Sequence, residues 1–412
     1  MRNLSLYFLV FLFNFHALSV FAQDCPKLNY RICPKKAICK RPLKIEGKAL
    51  ERLMSNLKKT QLDLPWSVKS ASDFTVETKT FETMNKLDML FKKAMKNIKT
   101  EMEKYNVTKN ISQHFTETSF KISEKLALDS WHGSKNTKKV MKEIKGVKKI
   151  RVRLSYQKSK GKKGTTKFYL YHLKKKSAKP RPVLIIMPPV YGISPFDIGM
   201  AIEYASFGFQ VAVLELGGVK FVSPFNQISM LKESMGGVIG DTHRMIQYLK
   251  KHRDIDRDNI GIFGFSLGGL LSSMVYVVND EIKVLASAMG GANFPELFTN
   301  SEQAMAKLYR SYRMDKENLR TRMDYFKALE RALPYEPISL AHRRKESHVY
   351  FVASFGDTLV PSKNQWDLAN AFSASCEKGN VRWEKDQHLI AIVKDLLKRD
   401  NLREFLISKL MK

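Results

Sequence analysis

A strand-like run that ends in Gly264-Phe265-Ser266-Leu267-Gly268-Gly269 and passes directly into a helix-like run leaves this chain few architectures. Residues 259–265 read as a strand and residues 267–279 as a helix. A serine between two such elements sits on a turn too sharp for ordinary backbone geometry, and the flanking glycines let strand and helix pack closely. Its side chain then stands at the C-terminal edge of a sheet. The N–H of Leu267, in the first turn of the helix, has no partner within the helix and is free to face a developing negative charge.

The surrounding pattern agrees with that placement. Residues 183–187, 209–214, 260–265, 283–289 and 348–354 are continuous apolar and β-branched runs, as strands covered on both faces require, and 381–384 makes a last strand. Helical stretches at 197–207, 238–251, 267–279 and 362–375 alternate with them. Such alternation implies a mostly parallel sheet with helices on both faces. Upstream, Ile150, Val152 and Leu154 alternate along one segment and Phe168, Leu170 and His172 along another, with a flexible turn at 158–164 between them. That is a β-hairpin pattern. Residues 292–337 are longer than a plain connection and carry Met305, Leu308, Tyr309, Tyr312, Leu319, Met323, Phe326 and Leu329. Two readings stand: a helical lid whose apolar side chains receive an acyl group, and ordinary core packing.

The stretches Asp241-Thr-His-Arg-Met-Ile-Gln-Tyr-Leu249 and Asp256-Arg-Asp-Asn-Ile-Gly-Ile-Phe-Gly-Phe-Ser266-Leu-Gly-Gly resemble the α/β-hydrolase superfamily, in its dienelactone-hydrolase-like and prolyl-oligopeptidase-like branches. The resemblance covers about 182–412. It implies the α/β-hydrolase fold and a nucleophile, acid and base in the order Ser, Asp, His. Ser266 is the nucleophile. Phe355-Gly-Asp-Thr-Leu-Val-Pro361 follows a strand and is similar to the superfamily's acid loop, with one residue fewer between Gly and Asp, so Asp357 is the acid candidate. Lys385-Asp-Gln-His388 precedes a helix and supplies His388 as the base, with Gln387 where a glycine is usual. His388 would take the serine proton and return it to the leaving group, while Asp357 would hold the imidazole tautomer. Asp386 is the alternative acid, but it lies two residues from His388 on the same loop. His243, His252, His342 and His348 do not fit the order and spacing.

A second oxyanion donor is expected from the loop Pro188-Pro-Val-Tyr-Gly192. Prolines have no N–H, so Val190 is the donor candidate, followed by Tyr191. No metal or cofactor is implied. The resulting expectation is a serine hydrolase that cleaves small or lipid-like carboxylic esters through an acyl-enzyme. A peptidase or amidase on the same residues is the first alternative. A non-catalytic envelope-binding protein with a hydrolase fold is the second.

The N-terminal part is of another character. Arg2, the apolar run from Leu4 to Phe13 and the small-residue ending Val20-Phe21-Ala22 form a secretory signal pattern over 1–22, which predicts a secreted or periplasmic protein. An uncleaved anchor is the other reading. Residues 23–148 form a basic, mainly helical module, with helical stripes at 46–60, 80–105 and 110–128, ahead of a hydrolase domain over 149–412. Net charge is +31, and residues 23–181 carry 41 Lys and Arg against 14 Asp and Glu. A polycation of this kind suits an anionic membrane or envelope surface. The signal pattern and the scarcity of interleaved aromatics argue against nucleic acid. Four cysteines, Cys25, Cys33, Cys39 and Cys376, suit two disulfides in an exported chain. Three connectivities are possible and the sequence does not choose among them; one bridge within the N-terminal cluster and one from it to Cys376 is the arrangement expected.

Overall fold

The computed structural model describes residues 44, 46–62, 74–77, 146–157, 163–175, 177–189, 192–193, 195–216, 227–301, 304–333, 336–388, 391–392, 395 and 400–411. The helices expected at 80–105 and 110–128, the signal pattern, and Cys25, Cys33 and Cys39 lie outside them.

The strands are β1 (Phe74–Glu77), β2 (Val147–Gln157), β3 (Lys163–Leu173), β4 (Arg181–Met187), β5 (Gln210–Leu214), β6 (Ile255–Phe265), β7 (Val284–Ala288), β8 (Val349–Ser354) and β9 (Val381–Glu384). They form one nine-stranded sheet in the order β1-β2-β3-β5-β4-β6-β7-β8-β9. β1, β2 and β3 are antiparallel to their neighbours, and β5 through β9 run parallel. Every residue of β4, β5, β7 and β8 is buried. Their unbroken apolar runs thus reflect a sheet covered on both sides.

Helices supply the cover. On one face lie α2 (Pro195–Ser206) and α10 (Asp400–Leu410), which meet Leu184, Ile186, Phe263 and Val352 through Ile198, Tyr204, Leu402 and Leu406. On the other lie α3 (Ile228–Leu249) and α4 (Leu267–Val278), which meet Ile185 and Ile262 through Ile239, Met245, Leu271 and Val275. The hairpin is fixed to α3 by a polar cluster. Arg244 lies 3.8 Å from the centre of the Tyr156 ring, its Nε donates to Thr166 Oγ1 at 2.8 Å, and Asp241 Oδ1 accepts from Thr166 and from Arg244 at 2.5 Å. Two residues of the Asp241-Thr-His-Arg stretch therefore serve packing.

The segment between β7 and β8 is helical, with α5 (Phe294–Asn300), α6 (Ala304–Lys316), α7 (Arg322–Ala332) and the short α8 (Pro337–Leu340). Phe326 and Leu329 are buried and Met323 is largely exposed. The apolar stripe read from the sequence is thus partly core. A further helix, α9 (Ser362–Ala371), links β8 to β9.

Two described pieces belong to the segment that precedes the hairpin. Helix α1 (Gly47–Leu62) packs Leu50, Leu53 and Met54 against the α3/α4 core, and Arg343 reaches the Met54 sulfur at 3.3 Å. Strand β1 pairs with β2, setting Phe74 opposite Leu154 and Glu77 opposite Arg151. No helix among the described residues is long and apolar enough to cross a membrane.

Candidate active site

Ser266 joins β6 directly to α4 with φ 53° and ψ −122°. L-residues rarely adopt that conformation, and holding one there costs about 1–3 kcal/mol. The surroundings enforce it. Ser266 N–H donates to the Ala288 carbonyl at 2.9 Å, which ties the turn to β7. Two glycines make the turn possible. A Cβ on Gly264 would overlap the Gly268 carbonyl, and one on Gly268 would overlap the carbonyl oxygen of Met187 at the end of β4. Leu267 is the first residue of α4, so its N–H lies at the helix N-terminus beside Ser266.

Asp357 lies in the turn after β8 and His388 after β9. Because β6 and β8 both run parallel to β7, and β9 to β8, Ser266, Asp357 and His388 share one edge of the sheet. Asp357 and His388 are both buried, and His388 Nδ1 lies 2.5 Å from Asp357 Oδ2. The other bonds of Asp357 assign that proton. Oδ1 accepts the backbone N–H groups of Leu359 and Val360, each at 2.9 Å, and Oδ2 accepts Gln365 Nε2 at 2.8 Å. The carboxylate acts throughout as an acceptor, so Nδ1 is the donor and Nε2 is left as the basic ring nitrogen.

The loop bearing His388 is held by its backbone and by its neighbours. Ser354 Oγ donates to the Asp386 carbonyl, and Phe355 N–H donates to the Glu384 carbonyl at 2.9 Å. Gly356 has no room for a side chain, because a Cβ would overlap Lys385 and Asp386. Just beyond, fully buried Asp395 pairs with Arg382 of β9. Asp386, the alternative acid, contributes its carbonyl to the loop, while the ring of His388 faces Asp357.

A second buried carboxylate braces the neighbouring loop. Glu336 accepts the N–H groups of Asn293 and Phe294 at 2.8 Å each, one with each oxygen, and so caps the N-terminus of α5. Burial pushes its carboxyl up to about 7, against the opposing pull of those backbone donors. Nearby, Glu296 and Lys363 form an ion pair at 2.9 Å. Burial raises the Glu296 carboxyl, and the Lys363 ammonium beside it opposes that rise.

Of the residues singled out from the sequence, Ser266, Leu267, Asp357 and His388 lie at the same sheet edge, with Asp357 and His388 in contact. Val190 and Tyr191 lie outside the described residues. Cys376 is not a free thiol. Gln365, Ser354, Glu336 and the Arg382–Asp395 pair were not read from the sequence. Their only signal there is a polar side chain at an inward-facing position, which the sequence alone does not distinguish from an exposed one.

These features are those of the α/β-hydrolase fold. The model of the prolyl oligopeptidase family matches residues 197–392, a span that contains all three site residues. The fold is similar to that of an acetyl xylan esterase from Paenibacillus sp. R4, with a TM-score of 0.57, 11% identity, and coverage of 90% of this chain and 97% of that one. An acylaminoacyl peptidase from Pyrococcus horikoshii matches with a TM-score of 0.49 and 14% identity over 68% of this chain and 44% of its own. A curated relative, a probable 2-oxo-3-(5-oxofuran-2-ylidene)propanoate lactonase from a Bradyrhizobium species, is 28% identical over 93 residues. That match covers 21% of this chain and 38% of the relative.

Proposed function

We propose that the protein is an exported serine hydrolase that cleaves carboxylic esters through an acyl-enzyme on Ser266. The observation that carries this reading is the buried Asp357–His388 pair at the same sheet edge as a serine held at φ 53°. In this reading His388 Nε2 takes the proton of Ser266 as its oxygen bonds to the ester carbonyl carbon. The charge that forms on the carbonyl oxygen meets the Leu267 N–H, with Val190 or Tyr191 as the second donor. The imidazolium, steadied by Asp357, then protonates the departing alkoxide. Water repeats the sequence to release the acid. Ester rather than peptide substrates are favoured by the likeness to the acetyl xylan esterase, which takes in 97% of that chain. The match to the prolyl oligopeptidase family keeps an amide substrate as the second reading.

A fluorophosphonate probe tests the mechanism. The purified protein is expected to label and Ser266→Ala is not. Equal labelling of the two, or none of either, removes Ser266 as the nucleophile and favours a non-catalytic role. A panel of p-nitrophenyl esters beside peptide anilides then decides the substrate class. Export is supported by the pattern over residues 1–22, and disulfide bonding by the four cysteines and by Cys376 not being a free thiol.

A further inference from the structure

Gln365 lies in the first half of α9 and is 1% exposed. A buried amide is costly unless all its hydrogen-bonding groups are met, and here each has a partner. Oε1 accepts the N–H of Ser354, the last residue of β8, at 2.9 Å. Nε2 donates to the Val360 carbonyl at 2.6 Å and to Asp357 Oδ2 at 2.8 Å. The orientation of the amide is not a free choice. A backbone N–H can only donate and a backbone carbonyl can only accept, so the oxygen must face Ser354 and the nitrogen must face Asp357.

We propose that Gln365 is the positioning residue of the acid: it fixes Asp357 Oδ2 in the place and orientation that His388 Nδ1 requires. The proposal rests on the serine-hydrolase reading above and adds a residue to it. Two observations support it. Gln365 and His388 share one acceptor, Oδ2, whereas the two turn amides hold Oδ1. The carboxylate is therefore held at both oxygens and cannot rotate without breaking bonds on each side. The same amide also joins the end of β8 to the turn at Val360, so the loop carrying the acid and the acid itself are set by one side chain. A methionine there would keep the volume and lose all three bonds. A glutamate would keep an acceptor for Ser354 N–H, but once ionised it would face Asp357 with a like charge.

The test is the rate constant for fluorophosphonate labelling in Gln365→Met and Gln365→Glu, each in the native background and with Asp357→Ala, with the urea midpoint as a check on folding. In the native background Gln365→Met is expected to slow labelling about 10- to 100-fold, the usual cost of removing an outer-shell partner. In the Asp357→Ala background it is expected to slow labelling less than about two-fold, because a residue acting through Asp357 has nothing left to act on. The same loss in both backgrounds assigns Gln365 to packing and overturns the proposal, as does no loss in either. If Gln365→Met does not fold, Gln365→Glu decides. Its labelling rate relative to the native protein is expected to fall as pH rises and the introduced carboxyl ionises, and a flat ratio overturns the proposal. Labelling that persists in Ser266→Ala brings down the functional reading itself. Labelling that depends on Ser266 but is indifferent to Gln365 overturns this inference alone.

Discussion

At the scale of single residues, strain and buried charge concentrate around one loop cluster. Ser266, Met289 and Asn293 all have positive φ, and Glu336 is buried beside the last of them. Glu336 has a consequence for stability. Its folded value of about 7 lies above the ordinary 4.5, so the folded state keeps a proton that the unfolded chain gives up. Its stabilising contribution is fully present below about pH 4.5 and is lost as pH rises through 7. At 1.36 kcal/mol per unit, the loss is of the order of 3 kcal/mol. Urea unfolding from pH 5 to pH 8 checks this against Glu336→Gln, which carries no titrating group. The native protein is expected to lose stability relative to the variant as pH rises; a constant difference would sink the assignment. Among residues, the places of Ser266, Asp357 and His388 at one sheet edge were legible in the sequence because each follows a strand within a spaced motif. Gln365 and Glu336 were not, because their work depends on partners brought together by folding: Gln365 on Ser354, and Glu336 on Asn293, which lies 43 positions away.

At the scale of elements, the strands were the most legible part, since a doubly covered strand has to be apolar throughout. Helix α3 was less so. It starts at Ile228, ten positions before the periodicity shows it, because Gly236 and Gly237 interrupt the pattern. Each such glycine costs about 1 kcal/mol relative to alanine in a helix, and burial of Ile228, Leu231 and Met235 offsets it. Strand β1 alternates as Phe-Thr-Val-Glu but is four residues long, too short for the pattern to stand out. The glycines themselves predict opposite outcomes. A Cβ on Gly236 would meet nothing within 4 Å, whereas one on Gly268 would overlap the end of β4. Gly236→Ala is expected to stabilise by about 1 kcal/mol and leave labelling of Ser266 unchanged. Gly268→Ala is expected to destabilise by about 1–3 kcal/mol and to slow labelling about 100-fold as the turn shifts. Urea unfolding and probe kinetics on the two variants check both, and equal behaviour would contradict the geometry.

At the scale of the molecule, charge is not divided as a neutral hydrolase behind a basic appendage. Residues 147–181 hold 14 Lys and Arg and no Asp or Glu, and Lys148, Lys149, Arg151, Arg153, Lys163 and Lys167 among them lie in β2 and β3. Much of the positive excess is therefore carried by the sheet that also carries the site. Lys148, Lys174 and Lys175 are exposed at one end of the hairpin, where Lys174 N–H donates to the Gly146 carbonyl at 2.8 Å. If the proposed docking on an anionic surface is correct, the full chain binds phosphatidylserine vesicles at low salt and releases them as salt rises. Substituting these three lysines by glutamate should weaken that binding without altering the fluorophosphonate labelling of Ser266. Absence of binding at low salt would end the proposal. The vesicle assay reads the whole surface, so it belongs at this scale.

The pairing of β1 with β2 carries one more implication. Phe74 pairs with Leu154 and Glu77 with Arg151, so a segment that precedes the hairpin in the chain supplies the edge strand of the sheet that carries the site. Trimming the chain from its N-terminus through residue 77 would therefore strip away a docked helix and that strand. Removing only residues 78–145 would keep both, so the two deletions separate the parts that pack on the sheet from the rest of that segment.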